Sequence, residues 1–131
     1  MNELNGFHHV ALTVSELDRS VAWYTSVLGF EELFREANES SRACVMRYPG
    51  SMFGIGLVVH NDSDQTPFDP TRRGLDHVAF AAASRAALDE WADRLTAAGV
   101  THSGAIEVPP GAILNFKDPD GIALALFWDR P

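Results

Sequence analysis

The sequence has one cysteine, Cys44, among its 131 residues. A single thiol cannot form a disulfide within the chain, and without a second cysteine there is no cysteine-built zinc site. Positive charge is also scarce, because 10 Lys and Arg stand against 18 Asp and Glu, which gives a formal net charge of −8. This balance argues against nucleic acid or an anionic membrane as a partner, since both attract basic surfaces.

Long apolar runs are lacking as well. No stretch reaches the length that a membrane-spanning helix needs, and the first residues lack the basic and apolar regions of a signal peptide. We therefore expect a cytoplasmic protein. Hydrophobic residues nevertheless make up 46% of the chain, which is enough to give one compact domain its own core.

A short stretch of the sequence occurs twice. Residues 6–12 read Gly-Phe-His-His-Val-Ala-Leu, and residues 74–80, which begin 68 positions later, read Gly-Leu-Asp-His-Val-Ala-Phe. A repeat at about half the chain length indicates one structural unit used twice. It places His9 and His77 at equivalent points of the two units. If the units pack about a pseudo-twofold axis, both histidines face one shared cavity.

Hydrophobic periodicity predicts a strand, a helix and three further strands in each half. In the first half these are strand 7–14, helix 16–28 and strands 30–35, 43–48 and 53–60. In the second half they are strand 75–82, a helix between Ser84 and Gly99, and strands within 100–108, 112–117 and 122–128. We expect one domain over 1–131, with module one at 5–60, a connector at 61–73 and module two at 74–130.

The ends of both helices carry recognisable signals. Ser15, followed by Asp18, resembles a capping box before the first helix, and Ser84 is expected to cap the second. Gly29 and Gly99 are expected to end the two helices. The Asp-Pro-Asp-Gly sequence at 118–121 predicts a tight turn held by side-chain hydrogen bonds.

Alternation in the first strand separates two faces. Val10, Leu12 and Val14 are expected to pack against a helix, which leaves the face of His9 free to line a cavity. Small or apolar residues recur on the strands expected to share that face, and the predicted lining consists of Ala11, Thr13, Gly54, Gly56, Ala79, Ala123, Ala125 and Phe127. Such a lining suits an apolar or aromatic ligand. Glycine weakens a strand, so the two glycines are expected to make room for a ligand or a close neighbour.

Four motifs in order give the chain a family resemblance. They are Phe-His-His-Val-Ala-Leu-Thr-Val at 7–14, Tyr-Thr-Ser-Val-Leu-Gly-Phe at 24–30, Leu-Asp-His-Val-Ala-Phe at 75–80 and Lys-Asp-Pro-Asp-Gly at 117–121. The sequence resembles the vicinal oxygen chelate superfamily, which includes glyoxalase I, extradiol dioxygenases, fosfomycin-resistance enzymes and bleomycin-binding proteins. The resemblance implies an α+β fold in which two βαβββ modules form a cup-shaped, mixed, mainly antiparallel sheet around a cavity. It also implies a homodimer.

The resemblance further implies a metal site built from two histidines and a carboxylate on the last strand. His9 and His77 match the histidine positions, and imidazole suits iron, nickel, zinc or manganese. The carboxylate position, four residues after Gly121, holds Ala125, which cannot bind a metal. His60 is a further ligand candidate, and Glu107 could supply the missing carboxylate, although a solvent-facing strand residue is the simpler interpretation.

Two function classes therefore stay open, beside a third interpretation as a structural or regulatory remnant with an empty cavity. One is a glyoxalase- or dioxygenase-like enzyme acting on a small organic molecule, either a metal-dependent lyase or isomerase or a dioxygenase, with His9 and His77 holding a divalent ion as a Lewis acid. The other is a metal-free small-molecule-binding protein of the bleomycin-resistance type. His8 is expected to be a structural or surface residue, His102 an exposed residue and Cys44 a small buried residue.

Overall fold

A computed structural model describes residues 2–131, which fold into two helices and eight strands. The chain divides into two compact units, one ending at Thr66 and the other spanning Pro67–Pro131. Each unit contains one helix and one four-stranded sheet, so the predicted α+β class with two βαβββ modules is confirmed. No helix in the described part of the chain is long and apolar enough to cross a membrane.

The first unit follows the predicted order of elements. Its elements are β1 (His9–Thr13), α1 (Leu17–Trp23), a π-helical turn (Tyr24–Leu28), β2 (Glu31–Ala37), β3 (Ser41–Arg47) and β4 (Gly54–His60). The strands are ordered β1-β4-β3-β2, with β1 parallel to β4 and the other neighbours antiparallel. Leu12 and Val14 are buried whereas His9 and Ala11 are exposed, as the alternation predicted.

The second unit repeats this arrangement. Its elements are β5 (Val78–Ala81), α2 (Arg85–Ala97), β6 (His102–Val108), β7 (Gly111–Lys117) and β8 (Ala123–Asp129). The strands are ordered β5-β8-β7-β6, and β5 lies parallel to β8 while the remaining pairs are antiparallel. Both sheets are therefore mixed and mainly antiparallel. A parallel first strand is possible in each because a helix and two strands separate it from its partner.

The first helix differs from its prediction in two ways. The expected single helix over 16–28 is an α-helix that passes into a π-helical turn at Tyr24. The capping residue is Glu16 and not Ser15, and its side chain makes no capping hydrogen bond. The hydroxyl of Ser15 instead accepts a hydrogen bond from Arg19 at 2.8 Å. Gly29 ends the segment as predicted, with a left-handed φ of 90°.

The second helix agrees with its prediction. The Ser84 hydroxyl accepts a hydrogen bond from the backbone N–H of Ala87 at 3.0 Å, which satisfies one of the free donors at the helix start. Gly99 follows the last helical turn with φ 75°. Leu88 and Leu95, two helical turns apart, are both fully buried and form the face that α2 packs inward.

Turn chemistry explains where the strand ends differ from the sequence-based bounds. The amide oxygen of Asn38 accepts from the backbone N–H groups of Ser40 and Ser41 at 2.8 and 2.9 Å, so the β2–β3 turn is short and both strands are longer than predicted. The Asp118 carboxylate likewise accepts from Asp120 and Ile122, both at 2.9 Å, which confirms the turn before β8.

Candidate functional site

His9 is the first residue of β1 and lies beside Gly54 of β4 in the parallel ladder. Its side chain is exposed because the alternation that buries Leu12 directs it to the opposite face. The Nδ1 atom of His9 lies 2.7 Å from the Nδ1 atom of His8, and the two rings meet edge to face. Within residues 2–131, no hydrogen bond engages the Nε2 atom of His9.

His77 lies at the matching point of the second unit, one residue before the start of β5. Its Nδ1 atom is 2.6 Å from Oδ1 of Asp76, and half of its side chain is exposed. Its Nε2 atom likewise has no hydrogen-bond partner in the part of the chain that the structure describes. The two histidines of the repeat therefore share one local arrangement, in which Nδ1 contacts the preceding residue and Nε2 is free.

The strand face that carries His9 is formed by small residues. Ala11 pairs with Gly56, and Thr13 pairs with Val58, along the parallel β1–β4 ladder. A Cβ atom at Gly56 would lie 3.2 Å from the Cβ of Ala11. A Cβ atom at Gly54 would lie 2.6 Å from the carbonyl oxygen of Met46. Adjacent strands therefore fill the space next to both glycines. They come this close because a glycine has no side chain to separate them.

The equivalent face of the second unit is also lined by small residues. Ala125 lies between Ala79 of β5 and Asn115 of β7, and none of its surface is exposed. Two residues further along β8, Phe127 pairs with Ala81 of β5 and with Ile113 of β7. Position 125 therefore presents a buried methyl group where the resemblance implied a carboxylate ligand.

The donor set for a metal ion is incomplete. Among residues 2–131, no group of three His, Cys, Asp or Glu side chains is arranged to hold an ion. Gly54, the neighbour of His9, is the first residue of β4, and His60 is the last. Six residues of strand span about 20 Å at ~3.3 Å each, so His60 and His9 of this unit cannot bind the same ion. The residues present do not fit the two-histidine, one-carboxylate set.

Glu107 is engaged elsewhere. Its two carboxylate oxygens accept from Arg85 at 2.6 Å and from Arg130 at 3.1 Å. These contacts hold the Glu107 side chain in an ion pair between α2 and the end of β8, so it is a structural residue rather than a free ligand. The hydrogen bond and charge of Glu107 also raise the pKa of Arg85.

Cys44 and His102 have structural surroundings. Cys44 is fully buried, and this burial, with the charge of Glu32, raises the pKa of its thiol to about 11. His102 is half-buried and not exposed as expected. Its Nδ1 accepts from the backbone N–H of Gly104 at 2.9 Å, so its Nε2 carries the proton and donates to Thr96 at 2.7 Å.

One cavity was not expected from the sequence. It measures about 450 Å³ and lies in the first unit between the start of α1 and the β2–β3 hairpin, with a lining of Ser15, Glu16, Leu17, Asp18, Arg35, Glu36, Ala37, Arg42 and Ala43. Arg35 forms ion pairs with Asp18 and Glu32, and its guanidinium lowers the pKa of both carboxyl groups. These residues come from separate elements, so no local motif indicated the cavity.

Two βαβββ units, in which the repeat histidine lies exposed at or just before the start of the first strand, define a class of small α+β proteins built from two like modules. The family model for the Glyoxalase/Bleomycin resistance protein/Dioxygenase superfamily matches residues 6–126. The chain belongs to this family, and the resemblance read from the four motifs is confirmed.

Three proteins illustrate the similarity. A glyoxylase/bleomycin resistance protein/dioxygenase domain from Frankia sp. EAN1pec is 39% identical, with a TM-score of 0.91 over 98% of this chain and all of that one. The putative ring-cleaving dioxygenase MhqA of Bacillus subtilis is 30% identical over 96% of this chain, which spans only 40% of MhqA. TnmS3, an antibiotic binding protein from Streptomyces sp. CB03234, is 20% identical over 99% of this chain and all of that one, with a TM-score of 0.77, and shares the fold.

Proposed function

We propose that this protein binds a small organic molecule without a metal ion. The observation that carries the proposal is Ala125, a fully buried methyl group at the position where a metal-binding member would supply its carboxylate. A site with two imidazoles and no anionic ligand leaves a divalent ion poorly neutralised. A small-residue strand face, in contrast, leaves room for an apolar or aromatic ring.

The binding faces follow from the registers of the two units. In the first unit, Ala11 and Gly56 form the face that carries His9. In the second unit, the exposed Ala79 continues the strand face of His77, beside the buried Ala125. Each face combines apolar area with the free imidazole nitrogen of its histidine, which suits an aromatic compound with a hydroxyl or carbonyl substituent. The family contains bleomycin resistance proteins and dioxygenases, and both names are compatible with such ligands.

The test is ligand binding by variants that fill the two faces. Ala11 and Ala79 are exposed, so Ala11→Leu and Ala79→Leu add bulk on the binding faces without overpacking the core. Ala86→Leu, on the exposed side of α2, is the matched control. Catechol and a panel of aromatic antibiotics serve as probes in thermal-shift and calorimetric titrations.

We expect at least one probe to raise the melting temperature of the wild type and of Ala86→Leu, with a loss of about tenfold or more in affinity for the two face variants. Equal affinity for all four proteins would refute the assignment of the faces.

We further propose that the protein is a homodimer, as the resemblance implied. Analytical ultracentrifugation that gives a single species of monomer mass would overturn this proposal.

A second candidate is a metal-dependent enzyme in which His9 and His77 hold a divalent ion. The observation that favours it is the free Nε2 atom of each histidine, with Nδ1 held by a neighbour as in many metal-binding histidines. When bound, such an ion would act as a Lewis acid toward a substrate oxygen. Metal analysis of untagged protein decides between the two candidates. A stoichiometric ion that is lost in His9→Ala and His77→Ala favours the enzyme. The absence of an ion after incubation with iron, nickel, zinc or manganese favours the binding protein.

A further inference from the structure

The residue before each repeat histidine contacts the same ring atom, Nδ1. Asp76 contacts Nδ1 of His77 at 2.6 Å, and His8 contacts Nδ1 of His9 at 2.7 Å. The two contacts lie at equivalent positions, 68 residues apart, although one neighbour is a carboxylate and the other an imidazole. The geometry is therefore repeated while the chemistry of the neighbour differs.

A carboxylate dictates the tautomer of His77. An ionised carboxylate only accepts hydrogen bonds, so the contact requires a proton on Nδ1 of His77. In the neutral ring the remaining nitrogen, Nε2, then carries the lone pair. A histidine in this form offers a hydrogen-bond acceptor or a ligand atom at Nε2, and it cannot donate a hydrogen bond there.

An imidazole does not dictate the tautomer of His9. Two Nδ1 atoms in hydrogen-bond contact share one proton, so one ring donates and the other accepts. Either ring can take either role. The Nε2 atom of His9 can therefore act as a donor or as an acceptor, depending on which ring holds the shared proton, whereas the Nε2 atom of His77 acts only as an acceptor.

We infer that Asp76 is a positioning residue that holds His77 as the Nδ1–H tautomer with an accepting Nε2, and that His8 makes His9 the adaptable member of the pair. The inference rests on the proposed function, because the free Nε2 atoms are the polar groups offered to the ligand. A ligand group next to His77 is then a hydroxyl or other donor, whereas a group next to His9 is a donor or a carbonyl. The preferred ligand carries at least one hydrogen-bond donor, such as a hydroxyl group.

The test is nitrogen NMR of ligand-free protein labelled with ¹⁵N, at a pH where the imidazoles are neutral. Long-range proton–nitrogen correlations identify which ring nitrogen carries the proton. In the wild type we expect His77 to show a protonated Nδ1 and a lone pair on Nε2. Asp76→Ala removes the acceptor, so the ring should shift toward the Nε2–H form that free histidine prefers.

Asp93→Ala is the matched control, because Asp93 is an exposed aspartate on α2 and its loss changes the net charge equally. It should leave the His77 tautomer unchanged. A proton on Nε2 of His77 in the wild type, or an unchanged tautomer in Asp76→Ala, would overturn the assignment of Asp76. For the other pair we expect His8 and His9 to show opposite tautomers, and two rings that both carry Nε2–H would contradict the shared proton.

A titration with catechol separates this inference from the proposed function. If the tautomers are as expected and catechol shifts the Nε2 resonance of His77, both are supported. If the tautomers are as expected but neither catechol nor the aromatic panel shifts any resonance of His9 or His77, the positioning role of Asp76 stands and the proposed function fails. If catechol binds while His77 carries its proton on Nε2, the positioning role fails and the proposed function stands.

Discussion

Placing a carboxylate at position 125 tests whether an acidic residue is all that the second candidate, a metal site with His9 and His77, lacks. Ala125 has no exposed surface and is flanked by Ala79 and Asn115 in register. In Ala125→Glu the new charge would be desolvated, and neither of its two register partners, Ala79 and Asn115, carries a positive charge. An unpaired buried charge costs about 3–5 kcal/mol, so we expect the free energy of unfolding to fall by about that amount at neutral pH without metal.

The cost should depend on pH with a defined sign. Burial raises the pKa of a carboxyl group in the folded state above its unfolded value of about 4.3. Below that unfolded value both states are protonated and the charge cost is absent. As pH rises through the folded-state pKa the variant loses stability by about 1.4 kcal/mol per pH unit, so a 3–5 kcal/mol cost spreads over about 2–4 pH units.

Urea denaturation of Ala125→Glu and Ala125→Gln measures this effect. Gln has nearly the same shape without the charge, so the difference between the variants isolates the charge from the added bulk. We expect equal midpoints below about pH 4 and a lower midpoint for the glutamate variant near pH 8, with unchanged m-values. Equal stability of the two variants at both pH values would show that position 125 is not desolvated and would refute the reasoning.

Adding Zn²⁺ or Ni²⁺ extends the same measurement. If a carboxylate completes a metal site, the ion binds the folded glutamate variant and stabilises it by about 2.7 kcal/mol at a free-ion concentration 100 times Kd. The glutamine variant and the wild type should respond less. A strong response of the wild type would contradict the metal-free proposal and favour the two-histidine enzyme.

Three further predictions concern packing, reactivity and a half-buried, hydrogen-bonded histidine. Gly54→Ala should cost about 1–3 kcal/mol in urea unfolding, because its Cβ would lie 2.6 Å from a backbone carbonyl oxygen, whereas Gly56→Ala should cost less because its nearest atom, 3.2 Å away, belongs to a side chain. The Cys44 thiol, with its pKa raised to about 11, should react with iodoacetamide only as fast as the protein unfolds, and labelling of the native state at the rate of a free thiol would contradict its burial. His102→Ala should cost about 1–3 kcal/mol and His102→Asn less, because an amide can still accept from Gly104, and equal losses would argue against that hydrogen bond.

Local chemistry accounts for the features that the sequence predicted well. Ser84 caps α2 and Gly29 ends the first helical segment because the residues that satisfy a helix end are its immediate neighbours in sequence. The burial of Leu12 and the exposure of Ala11 follow from the two-residue period of a strand. The repeat around His9 and His77 likewise predicted two like units.

Features that depend on contacts between distant residues were missed or misplaced. One local feature was misplaced as well: the cap of α1 is Glu16, and the Ser15 hydroxyl accepts from Arg19, four residues further on. Glu107 is held by Arg85 and Arg130, which lie 22 and 23 residues away, and nothing near it in sequence indicated that pairing.

The sequence by itself determined the family, the two-unit plan and the absence of an acidic residue at position 125, because each depends on residue identity and spacing along the chain. The tertiary structure decided that this position is fully buried, that His60 lies about 20 Å along β4 from the neighbour of His9, and that each repeat histidine has its Nδ1 atom engaged. Burial and strand register arise from pairing between separate strands, and ring orientation arises from side-chain rotation. Local spacing in the sequence encodes none of these three features.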